Sequence, residues 1–281
     1  MQLWLLIFGF FPTCRKDKFF MKIHYLGTCS GTEPMAGMHH TSLILETAGK
    51  LYWLDSGECA AHTAYTMGLP VMNTAAVFVS HPHIDHIGGL ANLLSLFRKL
   101  ENRYKMKLVS DNRLRVFFPG LEIFDAVKTV AFGTEAQSAS RYAIDASEVC
   151  DGVLFEDGNI RVSAVHNKHL KESGEQGWHS FSYLIEAEGR RVVFSGDVAS
   201  SDELDPLMAD GCDYLIHETG HHSVCDVCNY AVSRGAKALR FTHHGRAIIE
   251  DRAAMEKIVS EAASSAPISI KICYDRMTEE I

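Results

Sequence analysis

The sequence predicts an α/β protein built from two β-rich halves, each flanked by helices and folded as one domain. Three observations lead there. Apolar runs of strand-like length and alternation recur in both halves of the 281 residues. Stretches with helical spacing stand between and after them. The densest cluster of coordinating side chains follows directly on a continuous apolar run, and the carboxyl end of a strand is where open α/β sheets place ligands. An apolar fraction of 47% with 22% charged residues leaves room for a sizeable core.

Taken in order, the chain opens with "MQLWLLIFGFFP", which is apolar but lacks a basic leading region and a small-residue cleavage site. It is also short for a bilayer span. Residues 1–20 are therefore expected to lie outside the fold, with a membrane-associating or signal-like segment as the alternative, and the domain is expected over 21–281. "KIHYLGT" alternates and ends at a glycine. "TSLILETAG" and "KLYWLDSG" form a predicted hairpin about Gly49. "AAVFVSH" is a buried-strand run ending at His81. From Leu90 to Lys107, apolar residues at Leu90, Leu93, Leu94, Phe97, Leu100 and Tyr104 predict an amphipathic helix, which could pack within the chain or join two copies in a homodimer. "RLRVFFPG" is a strand stopped by Pro119-Gly120, and helices are predicted over roughly 121–131 and 134–144. The second half offers strands in "IRVSAVHNKH", "SFSYLIEAEG", "RRVVFSGD", "CDYLIHE" and "ALRFTHH", a helix in "VCNYAVSRGAK", and a closing helix over 249–264.

Composition narrows the function. Lys plus Arg number 27 and Asp plus Glu 35, a formal charge of −8, which argues against broad nucleic-acid binding. Eight scattered cysteines read as reduced thiols of a cytoplasmic protein, and the lone pair Cys225 and Cys228 cannot close a tetrahedral zinc site.

The decisive stretch is "SHPHIDHIGGL", Ser80 to Leu90, with three histidines and one aspartate within six residues. A solvated polar loop would not need four such groups. His81 and His83, two apart, can aim both rings at one centre, while Asp85 and His86 turn towards another. Imidazole with carboxylate suits Zn²⁺, Mn²⁺ or Fe. More ligands are then required downstream, and Asp197 of "VVFSGD", His243 of "LRFTHH" and one of His166 and His169 are the candidates.

With these residues in hand, the stretch from Lys22 to His244 resembles the metallo-β-lactamase superfamily: "HPHIDH" is similar to its central motif, "SGD" to its bridging aspartate and "FTH" to its last histidine. The resemblance implies a four-layer αββα sandwich of two mixed sheets flanked by helices. It implies two divalent metal ions, zinc first and manganese or iron also fitting, one held by His81, His83 and His169 and the other by Asp85, His86 and His243. Asp197 is shared, and His169 is preferred to His166 as the ligand. "LGTCSGTEP", "LDSGE" and "IHETGHHS" further resemble the tRNA 3′-processing endonuclease branch and its small phosphodiesterase relatives. In that branch a Glu–His pair assists proton transfer to the leaving group. Glu218 matches the glutamate and either His221 or His222 the histidine, with His221 first by its spacing of 22 residues before His243.

The resemblance thus implies a metal-dependent hydrolase in which a bridging water attacks, Asp85 orients it, and His221 or His222 protonates the leaving oxygen. A small phosphodiester or nucleotide is the expected substrate. A tRNA substrate is disfavoured by the acidic balance and by residues 98–145, which read as helices and a strand with no Gly/Pro- and Lys-rich arm. A carbonyl hydrolase acting on a lactone, thioester or β-lactam is the alternative, since it would share the metals. No membrane partner is expected.

Overall fold

The computed structural model describes residues 21–133, 141–170, 177–265 and 268–281. The first sheet is built from β1 (Lys22–Gly27), β2 (Ser42–Thr47), β3 (Lys50–Leu54), β4 (Thr74–Phe78), β5 (Arg113–Phe118) and β6 (Ala143–Glu148). The second takes β7 (Gly152–Glu156), β8 (Ile160–His166), β9 (Phe181–Ala187), β10 (Arg190–Phe194), β11 (Tyr214–Glu218), β12 (Ala238–Thr242) and β13 (Ser269–Ile272), after which β14 (Met277–Glu280) returns to the first. The strand orders are β14-β1-β2-β3-β4-β5-β6 and β13-β12-β11-β10-β9-β8-β7. Both sheets are mixed in the same way. Hairpin-connected strands pair antiparallel, and later strands pair parallel across helical crossovers, from β3 to β6 and from β10 to β13.

The helices are α1 (Ala60–Thr66), α2 (Ile84–Ile87), α3 (Leu90–Tyr104), α4 (Leu121–Phe132), α5 (Asp205–Met208), α6 (Val224–Ser233), α7 (Arg246–Glu250) and α8 (Arg252–Ser265). Strand periodicity sorts the core into layers. In β3, Leu51 and Trp53 face α1, α3 and α4, while Tyr52 and Leu54 point between the sheets. In β12, Leu239 and Phe241 face the helices of the second half. The result is the expected αββα sandwich. Its middle holds an aromatic cluster in which Phe78 stacks on Phe117, centroids 5.0 Å apart, and meets Phe155 edge-on at 5.7 Å.

Arg240 of β12 points the other way, into the space between the sheets. Only 2% of its surface is exposed, and its guanidinium grips Glu279 of β14 through Nε (2.6 Å) and Nη2 (2.8 Å). A charge this buried requires such a partner. The pair ties the last strand of the first sheet to the second.

Several expectations need correction. Residues 143–148 form strand β6 rather than the tail of a helix over 134–144, whose remaining part at 134–140 lies outside the described residues. This edge strand runs parallel to β5. It buries little, so its sequence carries no strong apolar alternation. The closing helix over 249–264 is two helices, broken at Asp251, whose carboxylate accepts the Ala254 N–H at 3.0 Å and caps the second. Tyr104, counted as apolar face, is 57% exposed, and the chain leaves α3 there through Lys105 in a left-handed conformation. The rest of that face, Leu90 to Leu100, is covered within the chain by the first sheet and its helices, not left for a second copy. Strands β7, β13 and β14 are not among the elements the sequence predicts. The segment 1–20 lies outside the described residues. Among the described residues no helix is long and apolar enough to cross a membrane.

Candidate metal centre at the strand ends

Both sheets deliver side chains to one end of the sandwich. The loop after β4 carries His81, His83, Asp85 and His86; the loop after β8 carries His169; Asp197 follows β10, Glu218 ends β11 and His243 follows β12. His83 stands before α2, the single turn that turns Asp85 and His86 inward. Gly88 and Gly89 bring the next turn close: a Cβ on Gly89 would lie 2.1 Å from the Gly57 carbonyl oxygen.

Two sets of donors result. His81 Nε2 lies 3.0 Å from His83 Nδ1, which lies 3.3 Å from His169 Nε2. Beside them, His243 Nε2 stands 3.2 Å from Asp85 Oδ2, and His86 Nε2 stands 3.4 Å from the same oxygen. Asp197 lies between the sets. Its Oδ1 is 3.4 Å from His86 Nε2 and 3.3 Å from His243 Nε2, while its Oδ2 is 3.9 Å from His81 Nε2 and 3.7 Å from His169 Nε2.

The donors fit metal ions on an observation independent of any relative. His86 Nε2 and Asp197 Oδ1 are buried and have no hydrogen-bond partner, an arrangement that costs free energy unless a cation satisfies them. Two ligands about 2.0–2.1 Å from a tetrahedral ion stand about 3.3–3.4 Å apart, close to the separations within each set. Burial first, then the charge of neighbouring imidazoles, holds His81 below its ordinary pKa, which keeps it a neutral donor. Burial acts the same way on His86 and His243, yet Asp197 and the neighbouring carboxylates more than reverse it, raising His243 to about 9. The carboxylates that favour a proton on His86 and His243 would favour a divalent cation there for the same reason.

One buried residue was not singled out from sequence. Asp55, after β3, is fully buried in a left-handed conformation. Its Oδ1 accepts the Ser80 N–H at 2.6 Å; its Oδ2 accepts the Ser80 hydroxyl at 2.8 Å and His86 Nδ1–H at 2.7 Å. It thereby fixes the His86 ring with Nε2 towards Asp85 and Asp197. Its signal was the "LDSGE" stretch, which read as a family likeness and not as a site.

The open choices separate in space. His169 joins the cluster, whereas His166 is bound by Asp151 at 2.7 Å and stacks on Trp178 at 4.5 Å. His221 Nδ1 donates to Glu218 Oε1 at 3.0 Å, and the ring lines the cavity over the cluster. His222 turns away and donates from Nε2 to the Val198 carbonyl at 2.9 Å, although it stays 3.5 Å from Glu218. The hydrogen bond to Glu218 raises the His221 pKa against the opposing effect of burial. Burial would raise Glu218, but His221 and His243 hold it well below the usual carboxylate range. The cavity has a volume of about 560 Å³, and its far rim is formed by Thr32, Glu33 and Arg246, none of them singled out from sequence.

A sandwich of two mixed sheets with this histidine–aspartate cluster across its strand ends is that of a metal-dependent hydrolase of the metallo-β-lactamase superfamily. Residues 21–227 match the profile of the family described as Anti-Pycsar protein Apyc1, and the chain belongs to that family. A ribonuclease Z of Brevibacillus brevis is 25% identical over an alignment covering 88% of this chain and 93% of that protein. The metallo-β-lactamase fold protein YhfI from Bacillus subtilis superposes with a TM-score of 0.71 at 16% identity, covering 93% of this chain and 100% of that one. The short form of human tRNase Z superposes with a TM-score of 0.65 at 19% identity, covering 92% and 99%.

Proposed function

We propose that the protein is a phosphodiesterase acting on a small phosphodiester or nucleotide, with His81, His83 and His169 on one metal ion, Asp85, His86 and His243 on a second, and Asp197 shared. The observation that carries the reading is the Glu218–His221 pair beside the cluster, at 3.0 Å. A carboxylate-held imidazole at the edge of such a site supplies a proton to a leaving oxygen, which a poor alkoxide leaving group requires.

Divalent ions there, zinc foremost and manganese or iron also suited to the donors, would supply an activated water and charge neutralisation at phosphorus. The chain's own residues do the rest. Asp85 lies in the second donor set and on the cavity wall, where its carboxylate orients the attacking water. Asp197 turns one oxygen to each donor set and fixes their spacing. Glu218 holds the His221 Nδ1 proton and stabilises the ring's positive charge, so that Nε2 gives its proton to the departing oxygen and regains one from solvent. The name ribonuclease Z of the relative supports phosphodiester chemistry. A nucleotide-sized cavity and a formal charge of −8 favour a small substrate over a tRNA.

The test is a panel of bis-p-nitrophenyl phosphate, a phosphodiester with an alkoxide leaving group, a lactone and a thioester. Phosphodiesters are expected to be hydrolysed preferentially. His221→Ala should slow the alkoxide ester by about 10²–10⁴-fold and the nitrophenyl ester much less. Equal losses on both would remove the proton-donor role, and preference for the lactone or thioester would make the enzyme a carbonyl hydrolase.

A further inference from the structure

The cavity extends well past the donor cluster, and its far end is built. Arg246, three residues beyond His243, is the only lysine or arginine among the described residues that line the cavity. Its Nη2 donates to Thr32 Oγ1 at 2.9 Å and to the Glu33 carboxylate. The loop that presents Thr32 and Glu33 is anchored on both sides. Thr28 N–H and hydroxyl donate to Asp275 Oδ1 at 2.9 and 2.8 Å, and the His39 N–H donates to Asp275 Oδ2 at 2.6 Å. Between these anchors, the Ser30 hydroxyl donates to the His244 carbonyl at 2.7 Å.

Between this rim and the cluster the cavity is lined by Ser30 and by three glycines, Gly31, Gly220 and Gly245. Gly31 abuts Asp85 so closely that a Cβ would lie 2.7 Å from its Oδ2, and a Cβ on Gly220 would lie 2.6 Å from His243 Nδ1. Gly245 continues this strip to Arg246. These glycines let the backbone pack against Asp85 and His243, and the cavity they line reaches from the cluster to the Arg246 guanidinium. Nothing in the hydrolytic step uses that guanidinium.

We propose that Arg246, oriented by Thr32 and Glu33, determines specificity by engaging a hydrogen-bond acceptor on the non-scissile end of a nucleotidyl phosphodiester: a base carbonyl or a second phosphate. The inference rests on the phosphodiesterase reading and deepens it. A guanidinium fork pre-oriented by two partners reads such acceptors with geometry as well as charge.

The experiment compares kcat/KM for three esters sharing one leaving group: methyl p-nitrophenyl phosphate, thymidine 5′-(p-nitrophenyl phosphate) and the latter's 3′-phosphorylated form. The native protein should favour at least one nucleotidyl ester over the methyl ester by about tenfold or more, and Arg246→Ala should abolish most of that preference. Arg246→Lys, which keeps the charge and loses the fork, should recover little of it. Loss on both nucleotidyl esters assigns the contact to the base, and loss only on the 3′-phosphorylated ester assigns it to a phosphate. Turnover of the methyl ester by the variants reports that they fold. An unchanged preference in Arg246→Ala, or an equal fall on all three esters, overturns the assignment and leaves the phosphodiesterase reading standing. No turnover of any ester by the metal-loaded native protein overturns both.

Discussion

Replacing Asp55 with asparagine exchanges one of two acceptor oxygens for a donor amide in a fully buried position. With its remaining oxygen towards the Ser80 N–H, the amide faces the Ser80 hydroxyl and the His86 ring, the two partners of Oδ2. The hydroxyl can rotate and accept. The ring can accept only by giving up the Nδ1 proton, and its neutral form then carries the proton on Nε2, the nitrogen 3.4 Å from both Asp85 and Asp197. A protonated Nε2 has no lone pair for a metal. Losing such an orienting partner costs about 10–100-fold in metal affinity, equivalent to about 1.4–2.7 kcal/mol. If the ring instead keeps its tautomer, a buried donor goes unpaired and the fold loses about 1–3 kcal/mol. Zinc affinity, measured by competition against a chromophoric chelator, and urea unfolding of the metal-free protein separate the two outcomes. An asparagine variant with native zinc affinity and native stability would refute the reasoning.

Other outcomes follow from the same geometry. His169→Ala should lower bound metal and activity together, whereas His166→Ala, which disturbs only Asp151 and Trp178, should leave metal content unchanged by elemental analysis. A chelator should abolish turnover and lower the melting temperature, and zinc or manganese should restore both, with protons released on binding. Glu279→Gln strands the buried Arg240 charge and should cost about 3 kcal/mol in urea unfolding at neutral pH. Burial opposes ionisation of Glu279, but Arg240 and Lys271 hold its pKa below the ordinary value. Its contribution is therefore present above the unfolded glutamate pKa of about 4.3 and is lost as pH falls through the lower folded value, so native and variant stabilities should converge in acid.

How legible was this molecule in its sequence? The central motif could be read because four donors lie within six residues at the end of an apolar strand, so local geometry alone brings them together. The strands with a face in the aromatic middle layer, β3, β4 and β9, were equally plain, since burial on both faces leaves continuous apolar runs. Choices that depend on long-range packing were not. Spacing cannot tell His166 from His169, because only the turn after β8 decides which ring reaches His83. Asp55 looks like any aspartate after a strand until the fold sets His86 against it. Strand β6 carries Asp145 and Glu148, and β14 carries Glu279 and Glu280; edge strands that bury little leave weak periodicity. Arg246 is unremarkable in sequence, and its place at the cavity rim comes from the anchored loop opposite.

The division of the donors between the halves has a mechanical consequence. His81, His83, Asp85 and His86 come from the first sheet, and His169, Asp197 and His243 from the second. Neither half carries a whole centre. Cations held there would act as staples across the seam of the sandwich, so metal loss should loosen the docking of one half on the other as well as stop turnover. The chain cut between β6 and β7 could then serve as a complementation pair, silent until zinc and reassembly restore the catalyst together.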